Sequence, residues 1–396
     1  MKHTSTVRHR SAVAALAAGA LLLTGCGAAA TTPQAEAPSS SSASVGTQPR
    51  VITTYDGGVL VLDAATLAVV QDIKLDGFTR INPAGDGSHV LVSTPTSFRA
   101  LDAGAPVPAF TDVEFPANKP GHVVRHAGKT VLFSDGTGRV EIFDSAAIAG
   151  GRPATEVHTT AEAHHGVAIE LANGELVTTL GNEKSRTGIV VLDKDRREIV
   201  RNEQCPGVHG EAAAANETVV VGCQDGVLVY RGGTITKIQS PDAYGRIGNQ
   251  AGSDASPVVL GDYKKDKDAE LERPQTVSLI DTATQQLRLV ELGTSYTFRS
   301  LARGPEGDVL VLGTDGAIHV IDPDTAAVAA TIPVIGTWTE PLDWQQPRPA
   351  ITVNGSTAYV TEPATRTIHA VDLATGKVLS SAPLPQVPNE LTAVTG

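Results

Sequence analysis

Aromatic side chains are scarce, 4% of 396 residues, with two tryptophans and one methionine. Any core must therefore be filled by Val, Ile, Leu and Ala. Beyond the N-terminus no 3.6-residue apolar period is sustained over about 12 residues, which excludes a helical bundle. Basic residues are few, 31 Lys and Arg against 43 Asp and Glu, for a formal charge of −12. Such a chain is poorly suited to nucleic acid or to an anionic lipid surface. Enzyme signatures are missing as well. There is no Gly-x-Ser-x-Gly elbow, no Gly-rich phosphate loop and no His-Glu-x-x-His, so no enzyme is expected. Cysteine occurs three times only.

The first of these cysteines closes a targeting segment. Lys2, Arg8 and Arg10 precede an apolar stretch that ends in Leu23-Thr24-Gly25-Cys26. The stretch is too short to span a bilayer. The four residues resemble a bacterial lipobox, so residues 1–25 are expected to be a lipoprotein signal peptide and Cys26 the lipidated residue. An ordinary secretory signal with an incidental cysteine is the plainer alternative. Cleavage would remove three basic residues and no acid, leaving 28 basic and 43 acidic, net −15. The chain is then expected outside the cell, anchored to the outer face of the cytoplasmic membrane by its acyl chains. Residues 26–50 are Ala, Ser, Thr, Pro and Gln in the main and read as a disordered tether. Its reach is about 25–30 Å. Cys205 and Cys223 remain, and an even pair in an exported chain reads as a disulfide stapling the hairpin around Asn216. Paired thiolate zinc ligands are the competing reading.

What is abundant is glycine (39) and short Val-rich runs broken by Gly, Asp, Asn and Pro. These are the marks of an all-β chain with many turns. From Val51 onward a weak repeat appears. Its marker is a strand ending in an acid, as in Val59-Leu60-Val61-Leu62-Asp63, Val140-Glu141-Ile142-Phe143-Asp144 and Ile318-His319-Val320-Ile321-Asp322. Many of the preceding turns hold an Asp-Gly pair, such as Asp135-Gly136 and Asp225-Gly226, suited to tight hairpins. The unit is a four-stranded meander of about 40 residues, and radial repetition of such sheets makes a β-propeller. The count is eight blades over residues 51–396, with seven the alternative if unit 246–292 is miscounted. Residues 389–396 are expected to supply the innermost strand of the first blade. The charged loop 264–273 reads as solvated, with partner docking as its alternative.

Histidine is unevenly spread. Six of the nine beyond residue 25 lie between 122 and 209. His122, His165 and His209 recur at 43- and 44-residue spacing, each opening a short apolar run. One histidine at the same place in three adjacent blades would converge at one mouth of the central channel. Three imidazoles suit zinc, and the ion's charge calls for a carboxylate or water in addition. Glu211, two residues after His209 and so expected on the same strand face, is the nearest acid in sequence. His164 or His126 would replace one ligand if the register is off by one. Scattered strand histidines bonded to carbonyls would be the bland alternative.

These runs resemble a known family. His122-Val123-Val124-Arg125-His126, His164-His165-Gly166-Val167-Ala168 and Cys205-Pro206-Gly207-Val208-His209-Gly210-Glu211, with Cys223 downstream and Trp344 through Pro349, are similar to the AztD family of periplasmic zinc metallochaperones. The resemblance covers most of residues 51–396. It implies a propeller that binds zinc, a Cys205–Cys223 disulfide, and delivery of zinc to the solute-binding protein of a zinc ABC transporter. Residues 27–50 lack the histidines of the family's N-terminal segment, and the lipobox points to an anchored form. A monomer is expected. The alternatives are a metal-independent extracellular interaction propeller and a metal-dependent propeller hydrolase. Replacing Cys26 with Ser should abolish palmitate labelling and move the protein from the membrane to the medium; a labelled, membrane-bound C26S protein would exclude the lipobox reading.

Overall fold

The computed structural model describes residues 46–396. The expected signal peptide, Cys26 and most of the expected tether lie outside the described residues. The first strand, Arg50–Tyr55, is paired along its whole length with Gly58–Asp63. Eight sheets follow, each a meander with four strands along its path, and the architecture is an eight-bladed β-propeller. The unit around residues 246–292 holds its own four strands, including an innermost strand of only two residues, Gln250–Ala251. The seven-blade alternative is therefore dropped.

The composition explains the layering. In the second and third strands of the blades most residues are buried, because both faces pack against neighbouring blades. Gly58–Asp63 is buried from Gly58 to Leu62. The outermost strand Val69–Lys74 is exposed or half-exposed throughout and carries the polar residues. Aliphatic side chains suffice for such thin, repeated cores, so few aromatics are needed. One continuous apolar cluster runs through the third, fourth and fifth blades, from Val124 to Tyr230.

The acid that marks the repeat has a mechanical role. Asp63 Oδ1 accepts from the amides of Ala65 (3.1 Å) and Thr66 (2.8 Å). Asp281 and Asp322 do the same for the amides two and three residues on. Each closes an Asx-type turn into the outer strand, and the fourth residue beyond takes positive φ: Leu67 at 59°, Gln285 at 58°, Ala326 at 57°. Not every turn follows its sequence signal. At Asp135-Gly136 the positive φ falls on Gly138 (67°), since the hairpin is two residues longer there.

Ring closure follows the expected route. Leu391–Val394 pairs antiparallel with Arg50–Tyr55, Thr53 opposite Leu391 and Arg50 opposite Val394. Thr54 ties down the approach, bonding through its amide and carbonyl to Glu390 and Asn389 at 3.1 and 2.8 Å. Arg299, from the seventh-blade side, reaches Glu390 at 2.6 Å. Deleting residues 389–396 removes this strand and leaves the buried edge of Arg50–Tyr55 unpaired, at a cost of several kcal/mol. Tm should fall by about 10 °C or more, measured by circular dichroism; an unchanged Tm would show that the clasp contributes nothing.

Candidate metal centre

Three histidines from three consecutive blades meet at one mouth of the channel. His122 lies in Pro120–His126, the innermost strand of the third blade. His165 lies three residues before Ala168–Glu170 of the fourth, in the entry loop. His209 opens His209–Ala214 of the fifth. One ring nitrogen of each lies within 4.8 Å of the others. The nearest pair is His165 Nε2 and His209 Nε2, 3.1 Å apart.

Glycine next to each histidine makes this possible. The pairing register shifts between Pro120 and Val123, around Gly121-His122, and again between His209 and Glu211, around Gly210. These are bulges, which re-aim a side chain out of the regular alternation. Gly210 has φ +70°, and a side chain there would run into Gln250 and the Gly248 carbonyl. A Cβ on Gly121 would strike the Asp135 carboxylate, and one on Gly166 would strike Phe133, Thr179 and His164. The bulge also alters the expected relation of His209 to Glu211. They do not simply share a strand face. Glu211 turns toward the channel and stands beside His122, its Oε2 3.7 Å from Nδ1. It is outside the trio of nitrogens.

Each imidazole presents Nδ1 to an oxygen. His165 Nδ1–H donates to Asp135 Oδ2 at 2.5 Å, His209 Nδ1–H donates to the Gly248 carbonyl at 2.5 Å, and His122 Nδ1 faces Glu211. A carbonyl only accepts, so the His209 proton is on Nδ1 and its Nε2 carries a lone pair. His165 Nδ1 likewise faces a carboxylate oxygen. With Nδ1 carrying the proton on both rings, the two Nε2 lone pairs point at each other. Protonation is disfavoured: burial first, then His165, Arg246 and Arg186, push the His209 pKa down to about 3. Burial, then the two other histidines, hold His122 well below its ordinary value. Burial raises Glu211 to about 8. A bound cation resolves this arrangement chemically. Metal-binding histidines characteristically give their second nitrogen to a carboxylate or carbonyl in this way.

Neither substitute histidine joins the cluster. His164 is buried, with Nδ1 to the Glu162 carbonyl and Nε2 to Thr179 Oγ1, both 2.9 Å. His126 sits at the far end of its strand, 3.0 Å from Glu217. Sequence reasoning missed Asp135 and Gly248. Asp135 was visible only as half of a turn signal, and Gly248 acts through its backbone, which leaves no residue-type signature.

The histidines form one wall of a cavity of about 340 Å³. Arg80, Phe298 and Trp344 also line it, with Lys264 and Glu272 from the charged loop. That loop is held in place, since Arg273 reaches the Glu340 carbonyl at 3.0 Å. Trp344 stacks edge-on against Phe78, centroids 5.2 Å apart, and is half exposed. Cys205 and Cys223 form the expected disulfide. It joins the loop before His209 to the end of Thr218–Cys223, and so clamps the loop that delivers His209 more than the hairpin itself.

No protein-family model matches the chain. It is similar to the curated zinc chaperone AztD of Citrobacter koseri, 26% identical over 328 residues, which cover 78% of this chain and 75% of that one. Two crystal structures of Citrobacter koseri AztD, one of them the apo form, superpose with TM-scores of 0.75 and 0.76 at 21% identity. Each alignment covers 88% of this chain and 98% of the other. The dihydro-haem d1 dehydrogenase NirN shares the fold alone, with a TM-score of 0.58 at 12% identity over 89% of this chain. The resemblance to AztD proteins seen in the sequence is thus borne out, and a chaperone relative agrees with the expectation of a non-enzyme.

The double substitution Cys205→Ser/Cys223→Ser should cost about 3 kcal/mol, the loop-closure value for a bridge of this span. Urea unfolding of the variant against untreated wild type measures it; equal midpoints would mean the clamp adds no stability.

Proposed function

We propose that this protein binds one zinc ion at the channel mouth through His122, His165 and His209, and passes it to the solute-binding protein of a zinc ABC uptake transporter. The observation that carries the reading is the convergence of three imidazoles whose Nδ1 atoms face oxygens and whose free nitrogens face one another. Two nitrogens on a tetrahedral zinc at ~2.0–2.1 Å are about 3.3 Å apart, close to the 3.1 Å between His165 and His209 Nε2. The zinc chaperone relative supports the choice of metal.

Each residue has a task in this reading. Asp135 and the Gly248 carbonyl hold two imidazoles in the tautomer that binds metal. Glu211 stands behind His122, 3.7 Å from its Nδ1, and orients that imidazole. The disulfide fixes the approach to His209. The outer side is open: the His165 side chain is 41% exposed, against 20% for His122. An incoming ligand from the acceptor protein approaches there and displaces His165 first, so zinc is exchanged between proteins without release. Attachment through Cys26 to the outer face of the cytoplasmic membrane would keep the protein beside its transporter.

Purified protein should hold close to one equivalent of zinc. His165→Ala should lower affinity by more than the roughly 10–100-fold that loss of a supporting partner costs, read by chelator competition and elemental analysis. Zinc retention unchanged in H165A would refute the ligand assignment. Loaded protein mixed with the zinc-type solute-binding protein of the same organism should transfer the ion faster than a chelator of equal affinity removes it. Equal rates would reject the chaperone role and favour a passive zinc store.

A further inference from the structure

Three neutral imidazoles leave a tetrahedral zinc with one open position and its full charge of two. The surroundings of that open position are cationic, in a chain whose formal charge is −12. Arg186, at the start of Arg186–Leu192, lines with His165 a groove of about 620 Å³, whose other charged residues are Glu183, Lys184 and Glu203. Arg246 lays its guanidinium against Gly248, the residue whose carbonyl holds His209. Among the described residues neither guanidinium makes a hydrogen bond or an ion pair. Arg80, from the blade next to that of His122, is partly compensated by Glu390 at 3.9 Å.

Most of the acids here are engaged. Asp135 accepts from His165, Asp262 accepts from the amides of Gly248 (2.6 Å) and Asn249 (3.1 Å), Glu272 accepts from the amides of Lys265 (2.8 Å) and Asp266 (3.0 Å), Glu340 is bound to Arg348 at 2.6 Å and Glu203 reaches Arg201 at 3.4 Å; Glu183 lines the Arg186 groove without bonding to either arginine. The proximity of the two free arginines is felt electrostatically. Burial first, then Arg246, lower the Arg186 pKa, with Asp135 acting in the opposite direction. Two unpaired guanidiniums beside a site for a divalent cation repel the ion unless an anion sits between them. A guanidinium fork matches the two oxygens of a carboxylate.

Resting on the zinc reading above, we infer that the open coordination position takes a carboxylate from outside this chain, captured by Arg186 and Arg246. The group is the same whether it arrives as a free small anion or as an Asp or Glu side chain of the acceptor protein. In either case one oxygen faces the metal and the carboxylate is held against the arginines. This makes the arginine pair the element that selects what the zinc site meets next.

Cobalt(II) in place of zinc reports this directly in its visible spectrum. In full-length wild-type protein, acetate should change the spectrum saturably, while sodium chloride at matched ionic strength should not. In Arg186→Gln/Arg246→Gln the half-saturating acetate concentration should rise at least tenfold. In acetate-free buffer the same variant should hold zinc as tightly as wild type or several-fold tighter, since two repelling charges are gone. A residue pair needed only for folding would weaken both. Arg186→Lys/Arg246→Lys, which keeps charge without the fork, should fall between. A peptide acetyl-Gly-Asp-Gly-amide that reproduces the acetate effect would assign the site to a protein-borne carboxylate; response to acetate alone would assign it to a free anion. An equal response to chloride, an acetate response unchanged in the glutamine variant, or zinc binding weakened in it would overturn the inference while leaving the zinc reading intact. Failure of the wild type to hold cobalt or zinc would overturn both.

Discussion

A four-stranded antiparallel sheet of aliphatic residues has two apolar faces and no means of covering either alone. Each blade here solves this by lying against its neighbours, and the first and last do so because Leu391–Val394 pairs with Arg50–Tyr55. Everything else depends on this closure. It makes the inner strands into channel walls, converts positions 43 and 44 residues apart into neighbours, and lets a chain with so few aromatics build a stable interior. The apolar cluster from Val124 to Tyr230 then provides the rigid base from which three histidines project.

The histidine site departs from the regularity of that base. Innermost strands alternate their side chains, and a strict alternation would not bring His122 and His209 together with His165. Bulges at Gly121-His122 and His209-Gly210, and the irregular entry at His165-Gly166, break it three times. Glycine is required at each because the space a side chain would occupy is already filled. The local loss of ladder pairing is compensated by other ties: the Cys205–Cys223 bridge, the Asp135–His165 bond and the His209–Gly248 bond. The same close packing brings Arg186 and Arg246 to the edge of the site.

Much of this was legible in the residues. The strand-ending aspartate marked the blades because it performs the same Asx turn in blade after blade, at Asp63, Asp281 and Asp322. A periodic mechanical need leaves a periodic letter. The histidine spacing was legible for the same reason, being a multiple of the blade. Glu211 was the weak point. Its distance from His209 in sequence implied a shared face, and one positive-φ glycine between them altered that. Asp135 was readable only as a turn residue, and the Gly248 carbonyl carries no side-chain signal at all.

The sequence by itself determined the repeat and the route of ring closure, and narrowed the blades to eight or seven, the cysteines to a bridge or a ligand pair, and the histidines to those between 122 and 209. These depend on residue types recurring at fixed intervals, which a linear reading can see. Only the tertiary structure decided which atoms face the site: the Nδ1 contacts to Asp135, Gly248 and Glu211, the exclusion of His164 and His126, and the placing of Arg186 and Arg246 beside the histidines. The physical reason is that these depend on bulges and on contacts between blades. A one-residue shift in register redirects a side chain by half a turn while leaving the composition and the period unchanged.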